Sequence, residues 1–219
     1  MYSMPKSWTD RQIQRLLGPD VAHPLSTTQR HVAWENDQLR VECNLVRNTT
    51  TLEDQFAVRI TPAADPYYGA VVVPLAPDGR VYLIGHYRYA IGRWSIELPR
   101  FDFDSSEAGW KEAAEVDLRR MTGLATARMR LLGAIQIDPA LMATSTVVIL
   151  AEGCVVAQPP KQRKTSRKSP GEEAPQQPNE LIAGSVLVPL AELSELIERG
   201  DIVCGVSLSA LSLYRASLR

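Results

Sequence analysis

Cysteine, histidine and aromatic residues are scarce in this chain: of 219 residues, three are Cys, three are His and 6% are aromatic. Cys43, Cys154 and Cys204 lie far apart with no C-x-x-C spacing, each in apolar or strand-like sequence. They read as buried thiols of a reducing compartment. Three scattered histidines without companion thiols do not make a zinc site. Long hydrophobic runs are missing too. No stretch approaches the roughly 18 apolar residues of a membrane span, and Met1 to Asp10 holds no signal-peptide core. A cytoplasmic protein with no membrane contact is the expectation. Nor is there an excess of charge of one sign: 24 Lys and Arg meet 25 Asp and Glu, a net −1. That balance argues against a wholly basic nucleic-acid binder and against an acidic disordered chain.

What is present is enough apolar sequence, 45%, for one sizeable domain, with no internal repeat. The charge is unevenly spread. Between Gln158 and Pro178 lie Lys161, Arg163, Lys164, Arg167 and Lys168 against only Glu172 and Glu173. The remainder, 19 cations against 23 acids, carries −4. The same stretch has five of the fifteen prolines and almost no apolar residue, so it reads as a disordered basic loop. Such a loop fits an acidic partner surface or nucleic acid, in a contact that salt would weaken. Thr165, Ser166 and Ser169 among the cations are candidates for phosphorylation, which would reverse the local charge.

Apolar spacing predicts a short helix over Trp8 to Leu17, stopped by Gly18-Pro19. Alternation in Leu39 to Cys43 and Phe56 to Ile60 predicts antiparallel strands between His31 and Ile60. Gly69 to Leu75 and Val81 to Tyr87 flank Pro77-Asp78-Gly79 and predict a β-hairpin. Trp110 to Met121 changes to helical spacing and ends at Thr122-Gly123. Strands at Met129 to Ile137, Thr144 to Glu152 and Gly184 to Pro189 follow, then helices at Leu190 to Arg199 and Ser207 to Ala216.

Within this order, His86-Tyr87-Arg88-Tyr89-Ala90-Ile91-Gly92-Arg93-Trp94-Ser95-Ile96-Glu97-Leu98-Pro99 resembles the approach to the Nudix box in the ADP-ribose pyrophosphatase branch of the Nudix hydrolases. There the pattern is Q-Y-R-Y-A, a glycine, and E-L-P-A-G. The likeness returns at Ala113-Ala114, Leu118, Thr122-Gly123-Leu124, Val188-Pro189-Leu190 and Ser207 to Leu211, covering roughly Val32 to Ala216. It implies an α/β fold: an α/β/α sandwich with a mixed sheet and an N-terminal antiparallel β extension. The expected organisation is an N-terminal helix and loop over 1–30 and a Nudix-like domain over 31–219. In that domain 31–66 would be a β-rich portion that helps form a homodimer, and 158–178 the basic insert. The activity implied is hydrolysis of a nucleoside diphosphate linkage, with Mg²⁺ held by three glutamates on one helix face.

The box itself, G-x5-E-x7-R-E-U-x-E-E-x-G-U, is degenerate here. Counted back from Gly123, its Arg-Glu pair falls on Val116 and Asp117 and its Glu-Glu pair on Arg120 and Met121. Arg100 and Phe101 replace Ala-Gly, and Glu107 stands for the early glutamate. The four central positions go from a formal −2 to zero. An Arg in place of a metal ligand adds repulsion to the loss of an oxygen, and its guanidinium can pair with phosphate oxygens instead.

The candidate site therefore consists of Asp117 and Glu107 as catalytic carboxylates, with Asp117 the one metal ligand left, and of Arg88, Glu97 and Arg120 toward a nucleoside-diphosphate-type ligand. Arg88 and Glu97, as a strand arginine and a strand glutamate, read as readily as members of structural ion pairs, and Glu112 and Glu115 as a solvated helix face. His86, Trp94 and Trp110 read as packing groups, and Glu180 falls roughly where the family has a further glutamate. The leading expectation is a nucleotide-binding, regulatory or scaffolding protein with weak or lost hydrolysis and no cofactor. The alternative is a divergent hydrolase with a rearranged carboxylate set and Mg²⁺.

Overall fold

The computed structural model describes residues 24–63, 67–104, 110–157 and 181–218. The predicted helix at Trp8 to Leu17, Glu107, Glu180 and the basic loop lie outside them. The chain divides into two compact units, Met1–Tyr68 with Gln136–Thr146, and Gly69–Ile135 with Val147–Arg219.

The first unit is built on β3 (Leu39–Asn48), which pairs along its length with β4 (Asp54–Pro62), from Leu39↔Pro62 to Arg47↔Asp54. The opposite edge of β3 takes β1 (Leu25–Gln29) and β2 (Val32–Glu35), all pairings being antiparallel as expected. Side chains alternate across a strand, and cross-strand partners share a face. Glu42, Asn44 and Val46 are buried on one face of β3, where Asn44 Nδ2 donates to Glu42 Oε2 at 3.0 Å. The other face pairs Val41 with Trp34 and Ile60, Cys43 with Val58, and Leu45 with Phe56. It is the apolar one, and yet Phe56 is 75% and Trp34 52% exposed.

The second unit holds the main core. β5 (Tyr67–Pro74) and β6 (Val81–Arg88) do not form the predicted hairpin. The turn is present, with Gly79 at φ +83 and Gly79 N–H on Ala76 O, but the strands share one bridge, Leu75↔Val81, and then part. β5 enters a sheet of order β10-β11-β5-β8, with β8 at Arg100–Asp104, β10 at Arg128–Gln136 and β11 at Ser145–Glu152. β6 becomes the centre of a second sheet, between β7 (Arg93–Glu97) and β13 (Ile182–Val188). The reason lies in the two runs themselves: Val71, Val72, Val73, Val81, Leu83 and Ile84 are all fully buried. Strands apolar on both faces need cover on both and partners on both edges. β9 (Leu124–Ala125) and β12 (Val155–Val156) form a small separate pair.

Three helices complete the described residues: α1 (Trp110–Thr122), α2 (Leu193–Glu198) and α3 (Gly205–Ala216). Val206, Ala210, Leu211 and Tyr214 of α3 pack with Leu193 of α2 on Val71, Val73, Leu83, Val148 and Leu150. Ser207 Oγ accepts from Leu98 N–H at 2.9 Å, fixing the end of β7 to the start of α3. α1 turns Ala114, Leu118 and Met121 inward and touches β8, β9 and β13. It stops as predicted: Gly123, at φ +69, donates its N–H to Arg119 O.

Three further expectations are corrected. The predicted helix at Leu190 to Arg199 is helical only over Leu193–Glu198, because Pro189 opens a turn closed by Glu192 N–H. The stretch after Pro99, to which spacing gave no element, contains β8, whose Arg100-Phe101-Asp102 alternation buries Phe101 and leaves Asp102 outside. Cys154 is buried, but Cys43 and Cys204 are only partly so, and all three are free thiols. Trp94, read as a packing group, is 53% exposed and has its ring edge-on to Tyr87 at 5.6 Å.

Candidate functional site

The string that carried the family resemblance forms β6, a 3-10 turn over Tyr89–Ile91, and β7. Gly92 closes the turn at φ +63, a backbone angle that other residues reach only with strain. Antiparallel register sets His86 opposite Ser95, Arg88 opposite Arg93 and Ile84 opposite Glu97. His86, Ser95 and Glu97 are buried, and Glu97 is 1% exposed. A carboxylate so far from water needs a cation. Arg88 Nε supplies it, donating to Glu97 Oε1 at 2.6 Å, while His86 Nδ1 lies 3.6 Å from the same oxygen, beyond hydrogen-bond length. Arg88 Nη2 is also buried and finds no acceptor among the described residues.

The second part of the site is on α1, at a largely buried pair beside its exposed face. Asp117 and Arg120 are one turn apart, and Arg120 donates through Nε at 2.9 Å and Nη2 at 2.7 Å to Asp117 Oδ1. Asp117 and Arg120, both predicted as site residues, are thus joined to each other, with the Arg120 side chain 9% and that of Asp117 20% exposed. Glu112, Glu115 and Val116 lie on the exposed face of the helix.

In the chain between these parts lies β8, which touches α1 and which sequence reasoning passed over as a binding element. Its Asp102 has its carboxyl pKa raised above the ordinary 3.8, first by the protein around it and also by the charge of Asp117, while Arg100 and Arg88 act in the opposite direction. One carboxylate therefore feels Arg88 from β6, Arg100 from its own strand and Asp117 from α1. The signal was available in the alternation Arg100-Phe101-Asp102, which puts Arg100 and Asp102 on the face opposite a buried Phe.

Mg²⁺ takes octahedral oxygen ligands, usually with one or two carboxylates among them. The described residues do not fit a protein-held site of the expected kind. Asp117 Oδ1 is taken by two Arg120 N–H groups, Glu97 is held by Arg88, and no three His, Cys, Asp or Glu side chains are gathered as a metal would require. No helix among the described residues is long and apolar enough to cross a membrane.

No family model matches the chain, and no curated protein matches it. The fold does have a solved counterpart. A crystal structure described as that of an ADP compounds hydrolase superposes with a TM-score of 0.70 at 16% sequence identity, covering 91% of this chain and 97% of that one. The mixed α/β architecture, with its separate antiparallel sheet from the N-terminal part, is the Nudix-like fold that the sequence implied.

Proposed function

We propose that this chain binds a nucleoside-diphosphate compound of the ADP-ribose type and hydrolyses it weakly or not at all, serving a regulatory or scaffolding role. The observation that carries the reading is the Asp117–Arg120 pair: the surviving box carboxylate is neutralised by the cation that replaces a box glutamate. The fold likeness to an ADP compounds hydrolase supports the ligand class. Arg88 Nη2, a buried donor without an acceptor among the described residues, supports an oxygen-rich occupant, since a buried donor left unmatched costs about 1–3 kcal/mol. Arg88 and Arg120 then contact the diphosphate, and Glu97 acts through Arg88 by fixing its guanidinium.

The chemistry requires no metal at this step. A guanidinium offers paired N–H donors to two phosphate oxygens, which lowers the charge of the bound diphosphate without activating a water. Calorimetry with ADP-ribose, in EDTA and then in Mg²⁺, tests this. Metal-independent binding without product formation is expected, and turnover at ordinary enzyme rates in Mg²⁺ would refute it. A second reading, a divergent Mg²⁺ hydrolase with a rearranged carboxylate set, draws on Asp102 lying within electrostatic reach of Asp117, with Glu107 as the further carboxylate.

The partners proposed are a second copy of the chain and an acidic surface or nucleic acid. The exposed apolar face of β3 and β4, with Phe56 and Trp34, is the surface a second copy would cover. The basic residues Lys161, Arg163, Lys164, Arg167 and Lys168 support the other contact by charge alone. The proposed compartment is the cytoplasm, on the free thiols.

A further inference from the structure

We propose that the tip of the β6–β7 hairpin binds single-stranded nucleic acid, with Trp94 stacking on a base and Arg93 pairing with a phosphate. The inference does not depend on the diphosphate reading above and uses none of its ligand contacts. Three aromatic residues fall in this short stretch: Tyr87 on β6, Tyr89 in the 3-10 turn and Trp94 on β7. Register sets Tyr87 directly opposite Trp94, and the two rings meet edge-on, with centroids 5.6 Å apart and planes at 74°. Such a cross-strand pair is explained by hairpin stability alone. What it leaves open is not: Trp94 remains 53% and Tyr89 93% exposed. Tyr87 holds the indole at a fixed angle, so little ordering is left to be done when a planar partner arrives.

Charge selects that partner. Arg93 stands opposite Arg88, a like-charge cross-strand pair that is unfavourable unless each cation has an anion. Glu97 serves Arg88 at 2.6 Å, whereas the exposed Arg93 side chain has neither an ion pair nor a hydrogen bond among the described residues. Consecutive side chains point to opposite faces of a strand, and β7 is an edge of its sheet among the described residues. An unpaired nucleotide laid over that edge places its base against Trp94 and its phosphate beside Arg93. A duplex cannot do so, because its bases already cover one another. A neutral sugar or apolar peptide would leave the guanidinium without an anion. Because stacking carries the contact, a body whose acids outnumber its cations outside the basic stretch can still hold a polyanion.

The experiment titrates the full chain into a labelled oligothymidylate about 12 nucleotides long, within the span of one single-strand site, and reads both anisotropy and tryptophan fluorescence. Binding with quenching is expected. Trp94→Phe should remove most of the quenching and keep the affinity within about threefold, since a phenyl ring still stacks, whereas Trp94→Ala should lose about tenfold or more. Arg93→Gln should lower the slope of log affinity against log salt by about 0.7, the share of one phosphate on a single strand. An oligomer of the same length with abasic sugars should bind the unaltered chain at least about tenfold more weakly, and a duplex should not compete. Equal affinity for the abasic oligomer, or for the duplex, would overturn the stacking contact and assign the binding to charge alone. If Trp94→Ala, folded by its urea midpoint, binds as the unaltered chain does, the role of Trp94 falls. Absence of any binding by the unaltered chain would refute the proposal and leave the diphosphate reading untouched.

Discussion

Two Arg–carboxylate pairs of nearly equal length, 2.6 and 2.7 Å, stand in the second unit and do different work. Arg88 and Glu97 come from separate strands and meet only when β6 and β7 are in register. Glu97 is sealed from water, so the pair bears a desolvation cost that only its intact geometry offsets. Asp117 and Arg120 meet on one turn of one helix, retain some water contact, and form wherever α1 forms. The first is a fixed part of the fold that leaves one guanidinium nitrogen over. The second is local and replaceable, which is what a phosphate competing for Arg120 requires.

The largest effect expected from breaking this contrast is on stability. Arg88→Met removes the cation from a carboxylate that is 1% exposed. Loss of one partner of a buried pair costs about 3–5 kcal/mol, and with His86 near Glu97 and Arg88 itself 26% exposed, a loss of about 3 kcal/mol is expected as a shift in the urea midpoint. A shift below 1 kcal/mol would mean that Glu97 is not held by Arg88. Asp117→Asn is next and should act in a different place. Its stability cost should be about 1 kcal/mol, because the pair is largely buried but Asn keeps the Oδ1 acceptor that Arg120 uses. Its affinity for ADP-ribose without metal should rise by about tenfold, because a negative charge beside Arg120 is gone. Weaker binding would instead make Asp117 a direct ligand contact.

The contrast also separates what the sequence could show from what it could not. The strands β3 and β4 and the helix α1 were legible because local spacing decides them: alternation in one case, a 3.6-residue period closed by Thr122-Gly123 in the other. The hairpin failed because Val71 to Val73 and Val81 to Ile84 are uniformly apolar. Such runs announce burial on both faces but do not say which strands lie on their edges. In the site, Asp117 and Arg120 were legible one by one from box spacing, and their pairing followed from standing one turn apart. Arg88 and Glu97 were also named, yet nine positions of chain separate them, and only the β6–β7 register makes them partners. Asp102 escaped notice because the alternation Arg100-Phe101-Asp102 tells only which face of the strand it takes; the charges of Arg88 and Asp117 that act on it come from other elements.

The smallest effect sharpens the contrast further, since it keeps every charge and changes only the fork. Arg120 uses two nitrogens on one oxygen of Asp117. Lysine at that position can reach the same carboxylate with a single ammonium, so Arg120→Lys should cost no more than about 0.5 kcal/mol in thermal or urea unfolding. Ligand binding should respond more than stability, because an ammonium is a point charge where a guanidinium engages two phosphate oxygens at once. A several-fold loss of ADP-ribose affinity with an almost unchanged unfolding midpoint is therefore the expected result, measured by calorimetry and urea denaturation on the same preparation. Equal affinity in the two proteins would mean that Arg120 contributes charge alone, and an affinity loss matched by an equal stability loss would make the Asp117–Arg120 pair as structural as Arg88–Glu97.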